Sequence, residues 1–107
     1  MAMSDTSMRA VWKFPLNIGA NIIIKMPPGS EIVHVECQRE QPCLWAIVDL
    51  NRTEENPEFR VFGVFGTGHV ISDSSLEYVG TFLTFDGAFV GHVFEQKEED
   101  DDVRDDG

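Results

Sequence analysis

Residues 78–96, YVGTFLTFDGAFVGHVFEQ, decide the fold. The pair Asp86-Gly87 sits between two runs rich in aromatic and β-branched residues. Such a pair is the strongest short-range hairpin signal, because a type I′ turn needs positive φ at both central positions. A two-residue turn there predicts Phe85 opposite Ala88, Leu83 opposite Val90, Thr81 opposite His92 and Val79 opposite Phe94 on one face. The other face then pairs Thr84 with Phe89, Phe82 with Gly91 and Gly80 with Val93. Glycine is costly inside a strand, so an aromatic ring over Gly91 or a second backbone against these positions is expected, as at a bent sheet corner. A lone hairpin is marginal in water, and the earlier chain must supply the sheet it joins.

That earlier chain reads as strands throughout. Residues 31–38 (EIVHVECQ) alternate cleanly, with Val33, Val35 and Cys37 on one face and His34, Glu36 and Gln38 on the other. Residues 43–50 (CLWAIVDL) are apolar on both faces, which predicts a central strand covered on both sides. Segments 9–14 (RAVWKF), 21–26 (NIIIKM) and 59–65 (FRVFGVF) complete the set. Pro15 removes a backbone donor, residues 26–30 (MPPGS) form a stiff turn, and 51–58 (NRTEENPE) a charged loop. No segment sustains a 3.6-residue apolar period. The expected fold is mainly β: a single small domain of about seven antiparallel strands forming a curled sheet, sandwich or small barrel. Residues 1–8 are expected to be a flexible leader, 9–95 the domain and 96–107 an acidic disordered tail. Trp12, Trp45, Phe59 and Tyr78 are expected to fill the core, with a binding platform as the sharper alternative.

Acidic residues outnumber Lys and Arg by 19 to 8, a formal charge of −11. Glu98, Glu99, Asp100, Asp101, Asp102, Asp105 and Asp106 form a self-repelling block, read as a solvated terminus or as an electrostatic lure for a basic protein surface. This balance argues against binding nucleic acid or anionic lipid, since phosphate affinity comes largely from Lys and Arg. Neither a signal peptide nor a run of transmembrane length is evident, so a cytoplasmic setting is expected.

Gly66-Thr67-Gly68-His69 is the most site-like local sequence. Two glycines can turn backbone N–H groups toward an anion, with Thr67 and His69 as polar handles. It lacks the spacing of a P-loop or dinucleotide fingerprint, so a self-satisfied turn competes with a ligand or partner loop. His92 is expected to be buried and bonded to Thr81 or backbone, and His34 to pair with Glu36 on a polar face. With the turn centred on Glu40, Cys37 and Cys43 would lie opposite one another; reduced thiols are expected, with a disulfide as the alternative. No catalytic residue, metal site or cofactor is predicted.

Four phrases, VWKFPL (11–16), LWAIVD (44–49), GTGH (66–69) and YVGTF (78–82), together resemble a small uncharacterised family of phage and prophage proteins. That resemblance implies a viral accessory setting, hence the host cytoplasm, and carries no catalytic residues with it. The leading expectation is a non-enzymatic protein-interaction module, a phage accessory or inhibitory factor acting on a basic host protein. The alternatives are a small-molecule or nucleotide-binding domain using residues 66–69, or a structural assembly protein that forms homo-oligomers.

Overall fold

Alternating and β-branched segments become seven strands in the computed structural model, which describes residues 8–97. They are β1 (Arg9–Pro15), β2 (Ile22–Met26), β3 (Glu31–Gln38), β4 (Gln41–Asp49), β5 (Glu58–Gly66), β6 (Leu76–Thr84) and β7 (Phe89–Gln96), with one 3-10 turn at Leu50–Arg52. All ladders are antiparallel. The strands form a three-stranded sheet, β1-β4-β3, and a four-stranded sheet, β2-β5-β7-β6, packed as a sandwich. The predicted leader, apart from Met8, and the tail from Glu98 onward lie outside the described residues. The Met8 carbonyl accepts from Leu50 N at 2.8 Å.

The core lies between the sheets and is built from Leu16, Ile24, Met26, Val35, Leu44, Phe62, Phe82 and Val93. Burying each large apolar side chain stabilises the fold by about 1.5–3 kcal/mol. On one side of the sandwich β3 closes against β6. Gly80 makes this approach possible, because a Cβ there would lie 2.8 Å from Val35 Cγ2. Across the ladder, the ring of Phe82 covers the face of Gly91. Both strand glycines therefore do what their cost predicted.

Two hairpin tips meet at the end of this closed side. Arg39 and Glu40 make a two-residue turn with φ of 54° and 66°, and Phe85 and Asp86 have φ of 54° and 55° before Gly87 at 87°. Non-glycine residues enter this region at a cost. The Glu40 carboxylate holds the two tips together: it accepts from the Thr84 hydroxyl and, at 2.7 Å, from Phe85 N.

The predicted hairpin register holds from Gly80–Val93 to Thr84–Phe89. Beyond it two details differ. A bulge at Val79 places Phe94 opposite Tyr78, not Val79. At the other end Ala88 N closes the turn on Phe85 O at 2.9 Å, while Phe85 N turns to Glu40, so the ladder stops one pair early. A second bulge, at Val33, breaks the alternation read in β3. Ile32, Val35 and Cys37 pack on the core, and Val33 is 48% exposed. Strand β4 is central in its sheet, as expected, but it is covered by the second sheet on one side only: Leu44, Ala46 and Val48 are buried there, while Trp45 and Ile47 are half-buried on the outward side.

The cysteines do not face each other. Cys37 lies opposite Pro42 and Cys43 opposite Glu36, and both thiols are free. Burial pushes the Cys43 thiol above its ordinary pKa. The expected aromatic core is also corrected. Phe59 is 65% exposed, Tyr78 57% and Trp12 39%, while Trp45 is half-buried.

Two measurements check this fold. Gly91→Ala should lower stability by about 1–3 kcal/mol in urea unfolding, because a Cβ would collide with the Phe82 ring. The second concerns Glu40, whose carboxyl is held below the usual range first by the Thr84 hydroxyl and then by Phe85 N–H. A lowered folded-state pKa gives stability that is present above the unfolded-state value and lost as pH falls through the folded-state value. Acidification should therefore weaken the fold, and Glu40→Gln, whose amide oxygen still accepts, should flatten that part of the pH dependence.

Candidate functional site

The loop after β5 closes on itself. His69 N donates to Gly66 O at 3.1 Å, and Gly66 N donates to His69 Nδ1 at 3.1 Å. Gly68 supports the turn with φ of 92°. Two N–H groups that an anion cradle would need are thus engaged within the loop. Thr67 points elsewhere: its hydroxyl pairs with His92 Nε2 at 2.8 Å. The other ring nitrogen, Nδ1, pairs with Thr81 Oγ1 at 3.0 Å, and Thr81 Oγ1 with Tyr78 Oη at 2.5 Å. The structure therefore brings Thr67 together with His92, Thr81 and Tyr78.

His92 pairs with Thr81 as predicted, but it is half-buried on the outward face of the sheet and not in the core. The difference follows from which face packs inward: Gly91 and Val93 are buried, so their neighbours face out. His34 Nε2 pairs with Glu36 Oε1 at 2.7 Å on the other sheet, as expected. The three histidines do not converge. Among the described residues no group of three or more His, Cys, Asp or Glu is placed to hold a metal ion. No helix among them is long and apolar enough to cross a membrane.

The outward face carrying His92 is unusual for a sandwich. Antiparallel sheets packed on one side generally alternate apolar-in and polar-out. Here β5 turns Phe59, Val61 and Phe65 outward, β7 turns Val90 and Phe94, β6 Tyr78 and Leu83, and β2 Ile23. Phe94 stands edge-on to Phe65 and to Tyr78, with centroids 5.6 Å apart in both pairs and interplanar angles of 88° and 69°. Phe65 leans back over Gly63, where a Cβ would sit 3.2 Å from its ring. By contrast, the outward face of the three-stranded sheet sets Trp45 between Lys13 and His34, with Glu31 and Glu36 nearby.

One end of the apolar face opens into a groove of about 740 Å³ lined by Glu58, Phe59, Arg60, Val61, Glu77 and residues 95–97. Arg60 lines it from the core side of its strand, opposite Ile24. Its Nε donates to Glu95 Oε2 at 2.7 Å, Nη2 to Glu95 Oε1 at 3.0 Å, and Nη1 to the Ser30 carbonyl at 2.6 Å. The hydrogen bonds to Glu95 raise the Arg60 pKa. This pair ties the β2–β3 turn to the four-stranded sheet. Sequence reasoning missed the pair and the face, although the alternation in β6 and β7 held the signal once the inward residues were known.

A family model described as a domain of unknown function, DUF7352, matches residues 8–103. The chain belongs to that family. No curated protein and no solved structure matches it.

Removing the carboxylate beneath the groove should be felt in the fold. Glu95→Ala strands a mostly buried guanidinium and should cost about 1.5–3 kcal/mol in urea unfolding. Thr67→Val, at an exposed site, should cost less than about 1 kcal/mol.

Proposed function

We propose that this family member is a non-enzymatic protein-interaction module that docks a partner polypeptide on the outward face of its four-stranded sheet. The observation that carries this reading is the aromatic row Phe65–Phe94–Tyr78, continued by Ile23, Leu83 and Phe59, each of these three more than half exposed. Contiguous apolar surface of this kind commonly marks an interaction site, and tyrosine and other aromatics are favoured anchors. Tyr78 is already ordered through Thr81, so less side-chain freedom is lost when a partner arrives. The acidic balance of the chain favours a basic partner and fast electrostatic encounter. The sequence resemblance suggests a phage accessory factor acting in the host cytoplasm.

A ligand-binding loop at residues 66–69 ranks second, because Gly66 N and His69 N are already spent on the turn. A photo-crosslinking residue placed at Ile23 or Leu83, compared with one at Val11 or Glu36 on the other sheet, tests the docking reading in cells. Discrete adducts from the first pair alone are expected. Adducts at equal yield from both sheets, or from neither, would refute it.

A further inference from the structure

We infer that the three-stranded sheet carries a site of its own, a pocket at the β3–β4 end of its outward face that binds a phosphate group through Lys13, Gln38 and Arg39. It lies on the other sheet from the docking face and does not rest on that reading. The pocket measures about 420 Å³ and is lined by Lys13, Pro15, Gln38, Arg39, Gln41 and Cys43. The strand registers put five of these on one face: Lys13 stands opposite Trp45, Pro15 opposite Cys43, and Gln38 opposite Gln41. Arg39 enters from the turn that joins β3 to β4.

No carboxylate lines this pocket, although acidic residues outnumber Lys and Arg by 19 to 8 in the chain. The reason lies in where the neighbouring carboxylates go. Glu40, next to Arg39, is engaged by the Thr84 hydroxyl and Phe85 N across the sandwich. Glu36, opposite Cys43, turns its Oε1 to His34 Nε2, 2.7 Å away. Arg52, Arg60 and Lys97 all have carboxylate partners. Lys13 instead bonds Gln38 Oε1, at 2.6 Å, and Arg39 has no partner among the described residues. Two cations without a counter-charge thus share one concavity.

The donors left over suit an oxyanion. Lys13 fixes the Gln38 amide through its oxygen, and Gln38 Nε2 has no acceptor among the described residues. Lys13 keeps two of its N–H donors and the Arg39 guanidinium keeps them all. A carboxylate is satisfied by the planar guanidinium fork alone, whereas donors from two strands and a turn match the oxygens of a tetrahedral phosphate. Cys43 brings no opposing charge. Its buried thiol donates to the Gln41 carbonyl at 3.4 Å. Burial outweighs the pull of Lys13 and holds that thiol above its ordinary pKa, so it stays a neutral S–H and does not repel an anion. The net charge of the chain opposes an anion at long range, but physiological salt screens charges beyond about 8 Å, and the local cations decide.

The test titrates the full chain with inorganic phosphate, methyl phosphate and acetate at constant ionic strength set by chloride, followed by the side-chain NMR signals of Gln38 and Arg39. Both phosphates should give saturating shifts with millimolar dissociation constants, and acetate should bind severalfold more weakly. Lys13→Gln and Arg39→Asn should each weaken phosphate binding severalfold, and together abolish it, with little change in thermal midpoint. Glu36→Gln, which removes the carboxylate opposite Cys43, should tighten it about twofold. Methyl phosphate bound as tightly as inorganic phosphate marks a monoester as the ligand, and a clear preference for inorganic phosphate marks the free ion. Shifts that never saturate, that chloride reproduces, or that survive in the Lys13→Gln/Arg39→Asn double variant would overturn the site. Acetate bound as tightly as phosphate would overturn the ligand's chemistry.

Discussion

The sandwich depends on a side chain that is absent. Gly80 lets Val35 of β3 press against β6, and among the described residues these two strands make the most extensive contact between the sheets. Once those strands meet, the tips beyond them are near enough for one carboxylate to serve both. Glu40 then accepts from Thr84 and Phe85, and four non-glycine residues stay at positive φ. Arg39 and Glu40 are the central residues of one two-residue turn, and Asp86 and Gly87 of the other, and such turns need positive φ there. The order of cause runs from glycine, to sheet closure, to clasp.

Closing the sandwich on the β3–β6 side leaves β1 and β2 as the outer strands of their sheets. Pro15 ends the β1 ladder, and β2 places Lys25 on its outward face, both ordinary ways to discourage edge pairing. Interaction through an edge is therefore less well prepared than interaction through a face. The interior also explains why a face is available. It takes only Phe62 and Phe82 among the aromatics in its buried cluster, with aliphatic residues filling the remainder. Phe65, Phe94, Tyr78 and Phe59 were never needed to hold the sheets together. They are surplus to the core, and exposed large apolar groups in one place are more informative than exposed ones in isolation.

Much of this was legible in the sequence. All seven strands, the central place of β4, and the pairing from Gly80–Val93 to Thr84–Phe89 follow from alternation and one Asp-Gly pair. The Thr81–His92 contact follows from that pairing, and so does the ring over Gly91. The bulges at Val33 and Val79 were not legible, because an extra residue in a strand leaves no mark in composition. His92 was expected inside for a related reason: both faces of β6 and β7 carry apolar residues, so periodicity alone does not say which packs. Glu40 meets Thr84 across 44 residues of chain, and Arg60 meets Glu95 across 35, and such pairs emerge only from the order of strands in the two sheets. The Gly66-Thr67-Gly68-His69 loop drew attention for its backbone, yet its contribution to the face comes through the Thr67 hydroxyl.

Apolar face and acidic charge make most sense together. An uncovered aromatic sheet face invites self-association, since hydrophobic burial takes no account of what covers it. A net charge of −11 opposes that association between identical chains and leaves attraction to cationic surfaces intact. A face built only to be wet would need neither an edge-to-face row at Phe65, Phe94 and Tyr78 nor a chain of hydroxyls fixing Tyr78 through Thr81 to His92. Order in exposed side chains has an entropic cost, and a surface that meets that cost in advance binds with less to lose.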